Sequence, residues 1–319
     1  MGLISPAEAK AKALAARAAK AREKKFKPLK TGTAVVKKTR KPKAPRQGVY
    51  FQSRGPHKCV KVDGKSQRGV HKALKRALYK SWDYDKAKLN NTLTQPKLPD
   101  AQITVSSTGF NAKASKYPPG NAKKQGSRLD TELTSIVKMY TTLNVPLKCF
   151  VDRDAREHHI KLNLTKPQGT KLRNLCNRMR PATGSAVIFL MHNKFKPIGT
   201  QVSVAAMGIG TDCDMLVTDE TGARRVLEFK LDCSVNYGQR GLVMGAPYAG
   251  RVFTTHGHYL LQTLVNHQLY KVCIADPQGL VVGSPLLVRC DDRGAYGYAL
   301  PEWVMAGASQ LLPVLSRAS

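Results

Sequence analysis

The chain is 319 residues and 35.0 kDa, enough for one large domain or two small ones with a real core. Its formal net charge of +32 is uneven: residues 1–128 carry 32 Lys or Arg against 6 Asp or Glu, and residues 129–319 carry 21 against 15. A segment so rich in Lys, Pro, Ala and Gly cannot bury enough apolar surface to offset chain entropy, which excludes a conventional core there and predicts a mostly disordered basic arm.

Ser5, Pro6 and Glu8 have the form of a capping box with proline at the first helical position, opening an Ala/Lys helix to about Lys25. That helix has almost no apolar face and gains order only on a phosphate surface. From Lys27 to Arg46 prolines interrupt any helix, and the tract resembles a nuclear-localisation or nucleic-acid-binding segment. Lys24, Lys25, Lys37, Lys38, Arg40, Lys41, Lys43 and Arg46 are its candidate phosphate contacts, acting through counterion release without regard to base sequence. A nuclear or other intracellular reducing location is expected. The Ala/Lys/Arg-rich residues 7–22 leave a mitochondrial transit peptide as the alternative.

Val70 to Tyr84 carries a helical stripe of Val70, Ala73, Leu74, Ala77, Leu78 and Trp82 that wants a partner surface. Lys72, Lys75 and Arg76 flank it and join the candidate nucleic-acid contacts. Residues 86–125 are polar and Pro/Gly-rich and read as a linker. The expected division is therefore a basic arm over 1–69, a basic helix and linker over 70–125, and a folded domain over 126–319.

The folded domain opens with a helical pattern on Leu129, Leu133, Ile136, Val137 and Tyr140, followed by a helix at 168–180. Ala186 to Met191 reads as an apolar strand, and Thr200 to Ala206 as a less regular one. Cys213 to Val217 and Arg225 to Leu231 face each other across the turn residues Thr218 to Ala223. A helix at 254–270 precedes short strands at 271–274, 280–282 and 286–289. This order predicts an α/β fold with a mixed sheet flanked by helices.

Seven cysteines without a CxxC pair argue against a disulfide framework or a zinc site. No stretch approaches the roughly 18 apolar residues of a spanning helix, so a soluble protein without a membrane partner is expected.

Within Arg225 to Leu231, period-two geometry places Glu228 and Lys230 on one face and Leu227, Phe229 and Leu231 on the other. A hairpin partner brings Asp214 beside them. Converging carboxylates suit a hard divalent cation, Mg²⁺ or Mn²⁺, and the neighbouring ammonium can position or deprotonate an attacking water. Three other Asp/Glu-x-Lys copies, at Glu8, Glu23 and Asp63, lack apolar strand flanks and an upstream acid. The plain alternative for Asp214, Glu228 and Lys230 is an exposed hairpin face with cross-strand ion pairs. His256, His258 and His267 have no regular ligand spacing and read as loop or surface histidines.

Gly210-Thr-Asp-Cys-Asp214-Met-Leu-Val followed by Val226-Leu-Glu228-Phe-Lys230 resembles the Asp…Glu-x-Lys signature of the PD-(D/E)XK nuclease superfamily. The nearest likeness is to phage-type recombination exonucleases of the lambda-exonuclease and YqaJ kind and to herpesvirus alkaline nucleases. The resemblance spans roughly residues 126–275. It implies a restriction-endonuclease-like sheet and Mg²⁺-dependent phosphodiester hydrolysis, commonly of DNA, in recombination, repair or viral genome processing. It also implies a glutamine on the helix after the lysine strand, here Gln262, and an acid on the helix that opens the domain, which Gly126-Ser-Arg-Leu-Asp130-Thr-Glu132-Leu can supply, with Glu132 as the further metal ligand beside Asp214 and Glu228. The spacing departs from the family at the first acid, so Asp212 stays open beside Asp214. DNA is the expected partner, with RNA as the alternative. The rival reading is a non-catalytic nucleic-acid-binding or packaging protein on a nuclease-like fold.

Overall fold

The computed structural model describes residues 49–52, 59–107, 122–231 and 235–318, with side chains from Val60 onward except at 122–124. The expected helix before Lys25 and the arm cations Lys24 to Arg46 lie outside the described residues.

In chain order the strands are β1 (Val49–Gln52), β2 (Cys59–Val62), β3 (Lys65–Ser66), β4 (Arg68–Gly69), β5 (Leu93–Thr94), β6 (Ile103–Ser106), β7 (Lys196–Ala206), β8 (Ile209–Thr218), β9 (Arg224–Leu231), β10 (Gly238–Val243), β11 (Val252–Thr254), β12 (Leu286–Cys290) and β13 (Gly294–Ala299). The helices are α1 (Val70–Leu78), α2 (Tyr84–Leu89), α3 (Ala122–Leu143), α4 (Lys148–Val151), α5 (Arg153–Asn163), α6 (Lys166–Arg178), α7 (Pro181–His192), α8 (Thr255–Tyr270), α9 (Glu302–Ala306) and α10 (Ala308–Arg317).

The main sheet runs β4-β8-β9-β12-β13-β6, with β7 also paired to β8. It is mixed: β9 and β12 run parallel and the β7–β8, β8–β9 and β12–β13 pairs antiparallel, as the order of elements predicts. Alternation along the strands feeds two cores. Leu227, Phe229, Leu286 and Val288 pack with α3 and α7, while Val226 and Leu287 pack with α1, α8 and α10. α1 owes its place to the apolar stripe: Val70, Ala73, Leu74 and Leu78 are buried against α8 and α10, and Lys72 and Arg76 stay exposed. The described part of residues 70–125, expected as a basic helix and linker ahead of the folded domain, supplies both core side chains and sheet strands, and β1 to β4 lie within residues 1–69, expected as a mostly disordered arm.

β7 pairs with β8 along nearly its whole length, so the other side of β8 is shared by two partial partners. β4 takes Ile209 and Gly210, and β9 takes Met215 to Thr218. Gly210 is required where β4 closes in: a Cβ there would lie 2.8 Å from Gln67 Cβ and 2.9 Å from Val60 Cβ. Gly210→Ala should cost about 1–3 kcal/mol through forced overpacking, read as a lower urea midpoint. An unchanged midpoint would mean that this edge gives way freely.

Three sequence expectations are corrected. Ala186 to Met191 is helix, part of α7, not strand; Pro181 at its start and burial of most of its surface explain an apolar run without helical periodicity. Lys271 to Ile274 continues α8 as a π-helical turn over Lys271–Ala275. Residues 280–282 form only a bridge, Arg224 to Val282.

Candidate active site

The β8–β9 ladder runs only from Met215↔Leu227 to Thr218↔Arg224, while β9 stays paired to β12 through Lys230↔Arg289 and Leu231↔Cys290. The two strands therefore part just where Asp214 and Glu228 begin. In the opening, the Phe229 backbone N–H donates to Asp214 Oδ2 at 2.9 Å, a side-chain substitute for the missing ladder bond.

Glu228 is wholly buried. A charged carboxylate there is tolerated only when its lone pairs are met by strong donors. Lys230 Nζ donates to Oε1 at 2.5 Å, Gln262 Nε2 to Oε1 at 2.7 Å, and Asn266 Nδ2 to Oε2 at 2.7 Å. Gln262 and Asn266 are one turn apart on α8, so both reach the strand from the same face.

Above this buried layer lies a cleft of about 590 Å³ whose wall includes Asp130, Arg180, Asp214, Phe229, Lys230 and Tyr259. Burial, and then the charge of Glu228, push the Asp214 carboxyl well above its ordinary range. Burial also raises Asp130, with Glu228 adding to the effect against the opposing pull of Lys230 and Arg180. Burial works against the Lys230 ammonium, but Glu228 and Asp214 outweigh it and hold the group above the usual lysine range. Lys230 Nζ also sits 5.2 Å from the Tyr259 ring centre, a cation–π contact.

The structure brings Asp214, Glu228, Lys230 and Gln262 together. It does not bring Glu132 to them. That carboxylate, 7% exposed, accepts from Arg128 Nε at 2.8 Å, the Arg180 N–H at 3.2 Å and Thr183 Oγ1 at 2.5 Å, tying α3 to the start of α7. Asp130 stands in the cleft instead. Two helical residues differ by about 200° around the axis, so when one acid of the Asp130-Thr-Glu132 pair faces the cleft the other faces away. Asp212 accepts from Ser203 Oγ at 2.5 Å across the β7–β8 ladder and is no part of the cleft wall. Gln268 donates to the Ala308 carbonyl at 2.5 Å.

The histidines also differ from expectation. His256 and His258 are each 4% exposed, because the first turns of α8 pack inward against α1 and the sheet. Asn266 is the site residue that sequence reasoning missed, and Asp130 stands in the cleft where Glu132 was expected. Asp130 sits two residues before Glu132 on the same helix, and Asn266 lies at i+4 from Gln262 on α8.

The residues present fit a hard divalent cation of the Mg²⁺ kind. Asp130 and Asp214 offer oxygen donors in a cleft where burial and mutual repulsion favour a bound positive charge, and Mg²⁺ needs only one or two carboxylates, keeping waters otherwise. Among the described residues no group of three or more His, Cys, Asp or Glu is arranged as a metal cage, and both Glu228 oxygens already serve protein donors. No helix among the described residues is long and apolar enough to cross a membrane.

No family model matches the chain, and no curated protein matches it. Among solved structures, one similar chain is a "Putative exonuclease" from Eubacterium rectale, at 10% identity over 64% of this chain and 69% of that one, with a TM-score of 0.29. A likeness that distant carries no argument about activity.

Proposed function

We propose that this protein is a metal-dependent nuclease that hydrolyses phosphodiester bonds of DNA, working as an exonuclease in recombination, repair or genome processing. The observation that carries the reading is the meeting of Asp130, Asp214 and Lys230 in one cleft, backed by the buried Glu228. Asp214 and Asp130 would hold Mg²⁺ or Mn²⁺, with Glu228 behind them. The bound cation would supply Lewis-acid polarisation of the phosphate and a more acidic water.

The remaining steps belong to the chain. Lys230, held charged by its two carboxylate neighbours, acts as a donor to the phosphate rather than as a base, stabilising negative charge as it develops. Glu228 fixes the lysine, and Gln262 and Asn266 fix Glu228. Lys72, Lys75 and Arg76 on α1, with the cations before residue 49, supply the sequence-independent grip on the backbone.

The test is digestion of end-labelled duplex DNA with Mg²⁺ or Mn²⁺ and with chelator, alongside labelled RNA. Lys230→Ala should lower the rate roughly 10²- to 10⁴-fold; unchanged cleavage would remove this cleft from the reaction. One observation favours a second reading: the Glu228 oxygens are all engaged by protein donors. Tight, salt-sensitive binding with no turnover in either metal would mark a binding protein on a nuclease-like fold.

A further inference from the structure

Next to the cleft lies a second polar network that the mechanism above does not use. His71, near the start of α1, is exposed, whereas His258 and Tyr79 behind it are 4% and 3% exposed. His71 Nδ1 is 2.7 Å from His258 Nε2, and the two rings meet edge to face with centres 4.6 Å apart. The other His258 nitrogen, Nδ1, is hydrogen-bonded to the Tyr79 hydroxyl. The following residue, Tyr259, carries Lys230 over its ring. The network therefore adjoins the cleft while sharing no hydrogen bond with the Glu228 cluster.

A hydroxyl–imidazole–imidazole chain of this kind has few proton arrangements. Burial raises the Tyr79 phenol well above its ordinary range, so it keeps its proton and donates to His258 Nδ1. Burial, then His71 and Lys230, push His258 well below the usual imidazole range. A neutral His258 that accepts at Nδ1 carries its proton on Nε2 and donates it to His71 Nδ1. Burial, then Lys75 and Lys230, lower His71 as well. Its own proton then sits on Nε2, the nitrogen with no hydrogen-bond partner among the described residues. Lys75, one turn further along the same helix, and Lys230 both act on this ring as nearby positive charges, so the complementary group is an anion.

We propose that His71 is a substrate-contacting residue, whose Nε2–H donates to a backbone phosphate oxygen of the nucleic acid strand lying beside Lys230. Tyr79 and His258 are positioning residues that fix the His71 tautomer. The location of this contact rests on the nuclease reading; the anion contact itself does not.

The experiment uses the full chain with ¹⁵N-labelled histidine. The ring nitrogen shifts of His71 should report the Nε2–H tautomer, and Tyr79→Phe should return it to a mixture. A short single-stranded oligodeoxynucleotide, added with Ca²⁺ in place of Mg²⁺, should move the His71 ring signals. In cleavage assays His71→Ala should raise KM roughly tenfold, the worth of one hydrogen bond to a charged group, with a smaller change in kcat. His71→Gln, which keeps an N–H donor, should recover part of the loss. A proton on His71 Nδ1, an oligonucleotide that leaves the ring signals unmoved, or an unchanged KM would each overturn the contact. If the wild-type chain cuts no DNA while the tautomer and the oligonucleotide response appear, the nuclease reading fails and the phosphate contact stands.

Discussion

Asp214→Asn should yield a protein that no longer cleaves and yet melts at a higher temperature. Burial and the neighbouring Glu228 raise the Asp214 carboxyl in the folded state. A carboxyl whose folded value is raised contributes stability that is complete below the unfolded value, near 4, and is lost as pH climbs through the folded one. At neutral pH an ionisable carboxyl at this buried position therefore weighs on the fold. Asparagine removes the ionisable group and keeps an oxygen for the Phe229 N–H, so a gain of about 0.5–2 kcal/mol is expected. The gain over wild type should shrink as the solution is acidified toward the ordinary carboxylate range. Mg²⁺ should sharpen the contrast: a cation bound only by the folded state stabilises by about 2.7 kcal/mol at a hundred times its Kd, and the variant should lose most of that shift. Thermal melts of both proteins at neutral and acid pH, with and without Mg²⁺, decide it. A variant that melts lower at neutral pH, or responds fully to Mg²⁺, would contradict the assignment.

Glu132→Ala should act on stability instead. It removes the shared acceptor of Arg128, the Arg180 backbone and Thr183, leaving donors between α3 and α7 unmet. Breaking such a buried pair from one side costs about 3–5 kcal/mol. Urea unfolding should show the loss, while cleavage per folded molecule at low temperature stays near wild type. The reverse pattern, an intact fold with no cleavage, would restore Glu132 to the chemistry.

Much of the site was legible because strands have the simplest period. With Leu227, Phe229 and Leu231 marking the apolar face, Glu228 and Lys230 had to share the other, and the turn at 218–223 brought the acid-bearing strand alongside. Helices were harder. The stripe on α3 located a buried face, but Asp130 and Glu132 flank that stripe, and which of them meets the cleft depends on how α3 docks. In α8 the apolar content concealed Asn266, whose role depends on a carboxylate far away in sequence. Sequence located the stripe of α1 but read the residues from 86 onward as linker, although β5 and β6 fall within them, because polar and Pro/Gly-rich composition is set by exposed side chains. A few apolar positions, Val70, Leu74 and Leu78, are enough to bind α1 to the core.

Two of the sheet's strands come from residues 68–106: β4 joins β8, and β6 joins β13. On the ribosome both are made long before the strands they pair with. They must wait, unpaired, until the hairpin of β7 and β8 and finally β13 have emerged. Contacts so remote in sequence make for slow closure, and waiting strands are prone to join with the wrong neighbour. β4 is two residues long and β6 four, and short edge strands are poor templates for such pairing. The shortness that makes these strands hard to read in the sequence is also what limits mispairing until the rest of the chain arrives.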